Sequence, residues 1–179
     1  MTGADPPRDS RSEDLPEDSV VDTVESLQTI ARYQFGAPAG EALFPGEEDL
    51  EIRYSRSGRP RQVRVSAGRL VTLGTDGRFT LGLEGGRRLH RALGPPAYRV
   101  VVDDESEPFV REGRNVFARF VVDVDETVRP RDEVLVVHER DDTLLGVGRA
   151  ELSAADIRDF EVGMAVSVRE GATGTGTNE

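Results

Sequence analysis

Cysteine is absent from the 179 residues of this chain, and so is lysine: all 23 basic side chains are arginine. Without cysteine, disulfides and thiolate metal sites are excluded. No apolar run approaches the roughly 18 residues of a membrane-spanning helix. The opening "MTGADPPRDSRSEDLPEDS" also lacks the basic start and apolar segment of a secretory signal. A cytoplasmic protein without membrane contact is expected. Histidine is nearly as scarce. His90 and His138 stand far apart without a ligand spacing between them, so both read as packed or surface residues, and no metal or cofactor is expected.

Acid dominates what is present, and the net charge is -11. A lysine-free, acid-rich surface suits a halophilic cytosol, where carboxylates hold water and ions; a GC-rich genome produces the same arginine bias. The charge is unevenly spread. Residues 1–25 carry 2 Arg and 8 acids, and their Pro, Asp, Glu and Ser content predicts a disordered acidic tail over 1–19. A flexible tail is expected over 172–179. Residues 51–93 reverse the sign with 10 Arg against 3 acids, and residues 94–179 return to 10 Arg against 19 acids. The basic segment is either a polyanion-binding face, with Arg59, Arg61, Arg64, Arg87, Arg88 and Arg91 as a secondary basic surface, or a set of arginines paired with the acidic half. At molar salt the Debye length is about 3 Å, so useful arginines must touch phosphate directly.

Residue periodicity divides the ordered part in two. "DSVVDTVESLQTIARYQF" predicts a helix capped by Asp18 or Ser19, with Val20, Val24, Leu27 and Ala31 on one face. A short turn between Gly and Pro breakers follows, then an antiparallel meander whose clearest turn is Asp76-Gly77. "EGGRRLHRAL" predicts a basic helix ended by Pro95-Pro96. Residues 20–95 thus form a helix-plus-antiparallel-sheet domain. Beyond it, "YRVVVDD" is a strand and "ESEPFVREGRN" a short helix that Gly113 ends. Strand runs in "VFARFVVDVD", "DEVLVVHER" and "TLLGVGRAEL", a capped turn in "SAADIRDF" and a last strand in "GMAVSVREG" complete residues 98–171. This order suits a compact β-barrel with two short helices, and the fold class is α+β. Carboxylate pairs such as Asp103-Asp104 and Asp141-Asp142 read as solvated turn edges in a chain with 34 acids.

The motifs "FVREGRNVFARFV" and "DEVLVV...LLGVGRAELSA" resemble a PUA domain, an RNA-binding module, in the form found at the C-terminus of archaeal tRNA-guanine transglycosylases. "YQFG...AGEALFP...RSGRPRQV...DGRFTLGLEGGRRL" resembles the small domain that precedes it there. The catalytic (β/α) barrel and zinc cysteines of that family have no counterpart, and the cysteine-dependent signature of archaeosine synthases is excluded. The resemblance implies a non-enzymatic protein that binds RNA of the tRNA class, alone or beside a separate tRNA-modifying subunit. It implies contacts from Arg111, Gly113, Arg114, Asn115, Val116, Phe117 and Arg119. Read from the residues alone, Gly113 merely ends a helix and Val116 and Phe117 are core. A protein-interaction module of the same fold is the alternative function.

Overall fold

The computed structural model describes residues 17–46 and 48–172; up to residue 16 and from residue 173 the expected tails lie outside the described residues. Helix α1 (Glu17–Phe35) and the short α2 (Ala39–Leu43) pack together. The meander β1 (Glu51–Tyr54), β2 (Pro60–Val65), β3 (Gly68–Leu73) and β4 (Phe79–Leu81) follows, with its strands neighbouring in chain order, and then α3 (Leu83–Ala92). Gly77 takes a φ of 80° in the β3–β4 turn, as the Asp76-Gly77 pair requires. Helix α1 begins upstream of the expected cap, because Asp and Ser fit a first helical turn as well as the residue before it. Its buried stripe also differs. Val20 is exposed and the stripe runs through Leu27, Ala31 and Phe35, since only the later turns of α1 meet α2 and β4.

The second unit contains β5 (Arg99–Val102), α4 (Glu107–Arg111), β6 (Val116–Phe117), a 3-10 turn (Ala118–Phe120), β7 (Val121–Val124), β8 (Glu133–His138), β9 (Leu144–Ala150), α5 (Ala154–Asp159) and β10 (Met164–Gly171). The sheet order is β6-β10-β9-β8-β5-β7, with β5 and β8 parallel and the other pairs antiparallel. Thus "VFARFVVDVD" is two strands rather than one. The 3-10 turn breaks it, and its halves lie at opposite ends of the sheet, which curls into a nearly closed barrel. The fold is α+β. Among the described residues no helix is long and apolar enough to cross a membrane.

The two units share a core. Leu27, Phe35, Phe44, Leu70, Phe79 and Leu89 of the first cluster with Leu135, Val137 and Val147 of the barrel. Adjacent glycines let α3 wedge between the sheets. A Cβ on Gly85 would lie 2.0 Å from the Leu70 carbonyl oxygen, and one on Gly86 would lie 2.2 Å from Val147 Cγ1. Ion pairs reinforce the seam. Glu133, almost wholly buried, accepts both arms of Arg169 at 2.7 and 2.8 Å and the Leu81 N–H at 2.8 Å. Arg69 donates to Glu170, whose other oxygen accepts the Leu83 N–H.

Arg99 is only 2% exposed, and all five of its N–H donors are used. Nε and one arm fork onto Asp142 at 2.8 and 3.1 Å. The remaining donors reach the carbonyls of His90, Leu93 and Ala97. One side chain therefore joins the end of α3, the Pro95-Pro96 turn and the β8–β9 turn. Replacing Arg99 with Met is expected to cost on the order of 3–5 kcal/mol, because three carbonyls and a carboxylate lose their donors together. Arg99→Lys should recover little, since an ammonium has three donors and no fork. Chemical denaturation of the three proteins measures both effects.

A second pair carries a pH signature. Arg88 donates two hydrogen bonds of 2.6 Å to Glu48, and these hold the Glu48 carboxyl below its ordinary 4.5. A depressed folded-state pKa means stabilisation that is present above pH 4.5 and lost as the pH falls through the lowered value. Glu48→Gln should therefore reduce the melting temperature at pH 7, and the deficit relative to wild type should shrink steadily below pH 4.5.

Candidate nucleic-acid interface

Helix α4 has proline near its start and terminates on Gly113, whose φ is 85°. The Gly113 N–H donates to the Val110 carbonyl and the Arg114 N–H to the Phe109 carbonyl, both at 2.9 Å, which is the paired closure of a Schellman turn. The chain then turns into β6. Gly171 of β10 provides the seat: a Cβ there would lie 2.2 Å from the Arg111 carbonyl oxygen. The Asn115 side-chain oxygen accepts the Val168 N–H at 3.0 Å, pinning the turn to β10 and directing the amide donors elsewhere.

Between α4, this turn and the 3-10 turn lies a cleft of about 590 Å³. Phe109 and Phe117 are about half exposed at it, and Phe120 also lines it. Arg114 sits 5.8 Å from the Phe109 ring centre and Arg119 sits 4.5 Å from that of Phe120. Among the described residues Arg119 has no carboxylate partner, and Arg114 has only Glu112 at 3.7 Å, with both side chains largely exposed. Ser106, buried at the cleft, has a hydroxyl without a hydrogen-bond partner. Aromatic faces, planar cations and amide donors form the equipment for an unstacked base and its phosphate.

Six of the seven residues named from the sequence surround or build this cleft. Arg111 is the exception: it does not line the cleft and donates to Glu107 at 2.9 Å. Gly113, Arg114, Asn115, Phe117 and Arg119 line the opening. Val116 lines the cleft from a buried position among Val100, Val110 and Val166, because β6 alternates its side chains and Phe117 takes the outward position. Phe117 is correspondingly not core. Sequence reasoning missed Ser106, Phe109 and Phe120, although aromatic residues flanking the Arg-Glu-Gly-Arg segment were a visible signal.

The secondary basic surface is less basic than its composition. Arg61 and Arg64 have no carboxylate partner among the described residues, and Arg59 donates to the Gly74 carbonyl at 2.5 Å. Arg87 and Arg91 lean on Glu84 at 3.4 and 3.9 Å. Arg88 is mostly buried against Glu48 and the Leu43 carbonyl, so it supports the fold rather than a surface. The turn-edge carboxylates are structural too: Asp103 accepts the Ser106 N–H, Asp125 the Tyr98 N–H, and Asp142 pairs with Arg99.

Residues 25–96 match the patch-forming domain C2 of tRNA-guanine transglycosylase, and residues 98–172 match the PUA domain. The tRNA-guanine(15) transglycosylase of Pyrococcus abyssi is 47% identical over 149 residues, which are 83% of this chain and 25% of that enzyme. The Methanothermobacter thermautotrophicus enzyme is 42% identical over 156 residues, 86% of this chain and 23% of that one. The chain thus spans about a quarter of the length of the curated relatives it matches. Two solved structures share the fold. A hypothetical protein of Pyrococcus horikoshii OT3 superposes with a TM-score of 0.62 at 20% identity, covering 84% of this chain and 90% of that one. A conserved PUA domain protein of Thermoplasma acidophilum gives 0.56 at 19% identity, covering 80% and 89%.

Two substitutions separate scaffold from surface here. Gly113→Ala has steric room but forces an L-residue to positive φ, and should cost about 1–2 kcal/mol. Phe117→Ala, at a side chain 47% exposed, should cost about 1–2 kcal/mol, well short of the roughly 3–5 of a buried phenylalanine. Equilibrium unfolding of both variants tests the assignment.

Proposed function

We propose, from a chain that joins a transglycosylase-type C2 domain to a PUA domain, that this protein binds structured RNA of the tRNA class through the α4–β6 cleft and catalyses no reaction itself. It serves in the cytoplasm as the RNA-handling part of an archaeosine-type tRNA-modification system, whose catalytic barrel belongs to a separate subunit. One observation carries the reading. In a protein of net charge -11, Arg114 stands beside the half-exposed Phe109 and Arg119 beside the partly buried Phe120, instead of being drawn into close carboxylate pairs. Arg61 and Arg64 offer further phosphate contacts if the same RNA reaches the meander.

The division into residues 20–95 and 98–171 belongs to this proposal as a division of labour: the barrel holds the cleft and the first domain extends the bound surface. A protein-interaction role is favoured by a different observation. Val122, Phe160 and Val162 are exposed beside the cleft, Val162 to 88%, and form an apolar shelf for which RNA phosphates have no use.

Replacing Arg114 and Arg119 together with Ala, which leaves the Asn115 bond to Val168 in place, decides between them. On the RNA reading, tRNA affinity at molar salt falls at least tenfold while the fold is retained. The plot of log affinity against log salt also loses slope, because two fewer arginines release fewer counterions. Unchanged tRNA binding by this variant, or a wild type indifferent between tRNA and unstructured RNA, leaves the protein-interaction role.

A further inference from the structure

A side-chain cluster outside the cleft presents an ordered set of metal ligands. Asp104 follows β5, Glu107 opens α4 and His138 ends β8. They lie up to 34 residues apart in sequence, yet converge because β5 and β8 run parallel and finish together, Val102 beside His138. The His138 ring is 7% exposed, and its Nε2 lies 2.7 Å from Asp104 Oδ1 and 3.7 Å from Glu107 Oε2. The group is the one place among the described residues where three such ligand atoms fall within 4.8 Å of one another.

The far side of each ligand is held by something else. Asp104 Oδ2 is taken by Arg140, and Glu107 Oε1 accepts from Arg111 Nε at 2.9 Å. His138 Nδ1 lies 3.4 Å from Asp141 Oδ1 and accepts the Arg140 backbone N–H, also at 3.4 Å. Hydrogen bonding to Thr143 fixes Asp141 and keeps its carboxyl below the ordinary range. An imidazole backed by a carboxylate, and carboxylates held by their outer oxygens, are the surroundings that orient ligands toward a cation.

We propose that Asp104 Oδ1, Glu107 Oε2 and His138 Nε2 bind one divalent ion of the zinc class. One imidazole nitrogen and two carboxylate oxygens suit Zn²⁺, and the partial exposure of both carboxylates gives an entry path and a coordination position open to water. Ligation through Nε2 places the ring proton on Nδ1, turned toward Asp141 in place of the Arg140 N–H contact. Arg140, 71% exposed, keeps the outer oxygen of Asp104 and does not block the inner one. The ion ties α4, which carries Phe109 of the cleft, to the end of β8.

The test titrates Zn²⁺ alone into the full chain after chelator treatment, by calorimetry and by thermal unfolding. One ion per chain and a raised melting temperature are expected. Asp104→Asn and His138→Gln should each weaken binding at least tenfold, and Asp141→Asn should weaken it while preserving the stoichiometry. If His138→Gln fails to fold, the partly exposed Asp104→Asn tests the ligand set without disturbing the core. Absence of saturable one-to-one binding, or Asp104→Asn binding as tightly as wild type, overturns the proposal.

Discussion

Arg99 is the constraint around which the two units are arranged. A buried guanidinium is tolerable only when every N–H is received, so the carbonyls of His90, Leu93 and Ala97 and the Asp142 carboxylate have to converge on one plane. That requirement fixes where α3 ends, how the chain re-enters as β5, and how the β8–β9 turn folds over it. Strand β5 lies between β7 and β8, so placing its first residue also places the barrel relative to the meander. The glycine pair in α3 and the crossing pairs of Arg69 and Arg169 act in the same seam. They hold two small sheets, neither able to bury much alone, around a common interior.

Much of this architecture was legible because its signals were local. The Asp76-Gly77 turn, the glycine that ends α4 and the Ser153 cap of α5, whose hydroxyl accepts the Asp156 N–H, are each decided within a few residues. The break in "VFARFVVDVD" was not legible. Its apolar alternation continues through the 3-10 turn, and what divides it is pairing with β10 on one side and β5 on the other, both distant in sequence. The same applies to Val20, whose exposure depends on where α2 stops. In the cleft, the arginines and Gly113 were readable from their motif, whereas Val116 faced inward for reasons of strand register. The Asp104, Glu107 and His138 grouping depends on a parallel strand pairing that no sequence spacing encodes.

Arginine without lysine acquires a structural meaning here. Arg69, Arg88, Arg99 and Arg169 each serve more than one acceptor, which a planar fork does well and an ammonium does poorly. The basic stretch from 51 to 93 is therefore no uniformly positive face. A good part of its charge is turned toward Glu48, Glu84 and Glu170, and the arginines with neither a carboxylate nor a carbonyl partner among the described residues are the exposed Arg56 and Arg61 and the half-buried Arg64. On the proposed reading, contact with a polyanion rests on a few well-placed cations rather than on a broad field, which is the form that survives screening at high salt.

The cleft also has a place in time. Among the described residues strand β6 pairs only with β10, Asn115 is pinned by Val168, and α4 sits on Gly171, all within the last strand of the barrel. During synthesis, the arginines and phenylalanines of residues 109–120 emerge some fifty residues before the strand that arranges them. On the proposed reading, a nascent chain on the ribosome, surrounded by RNA, carries the components of the cleft without its geometry. The cleft is assembled only when translation has passed Gly171 and β10 has taken its place beside β6.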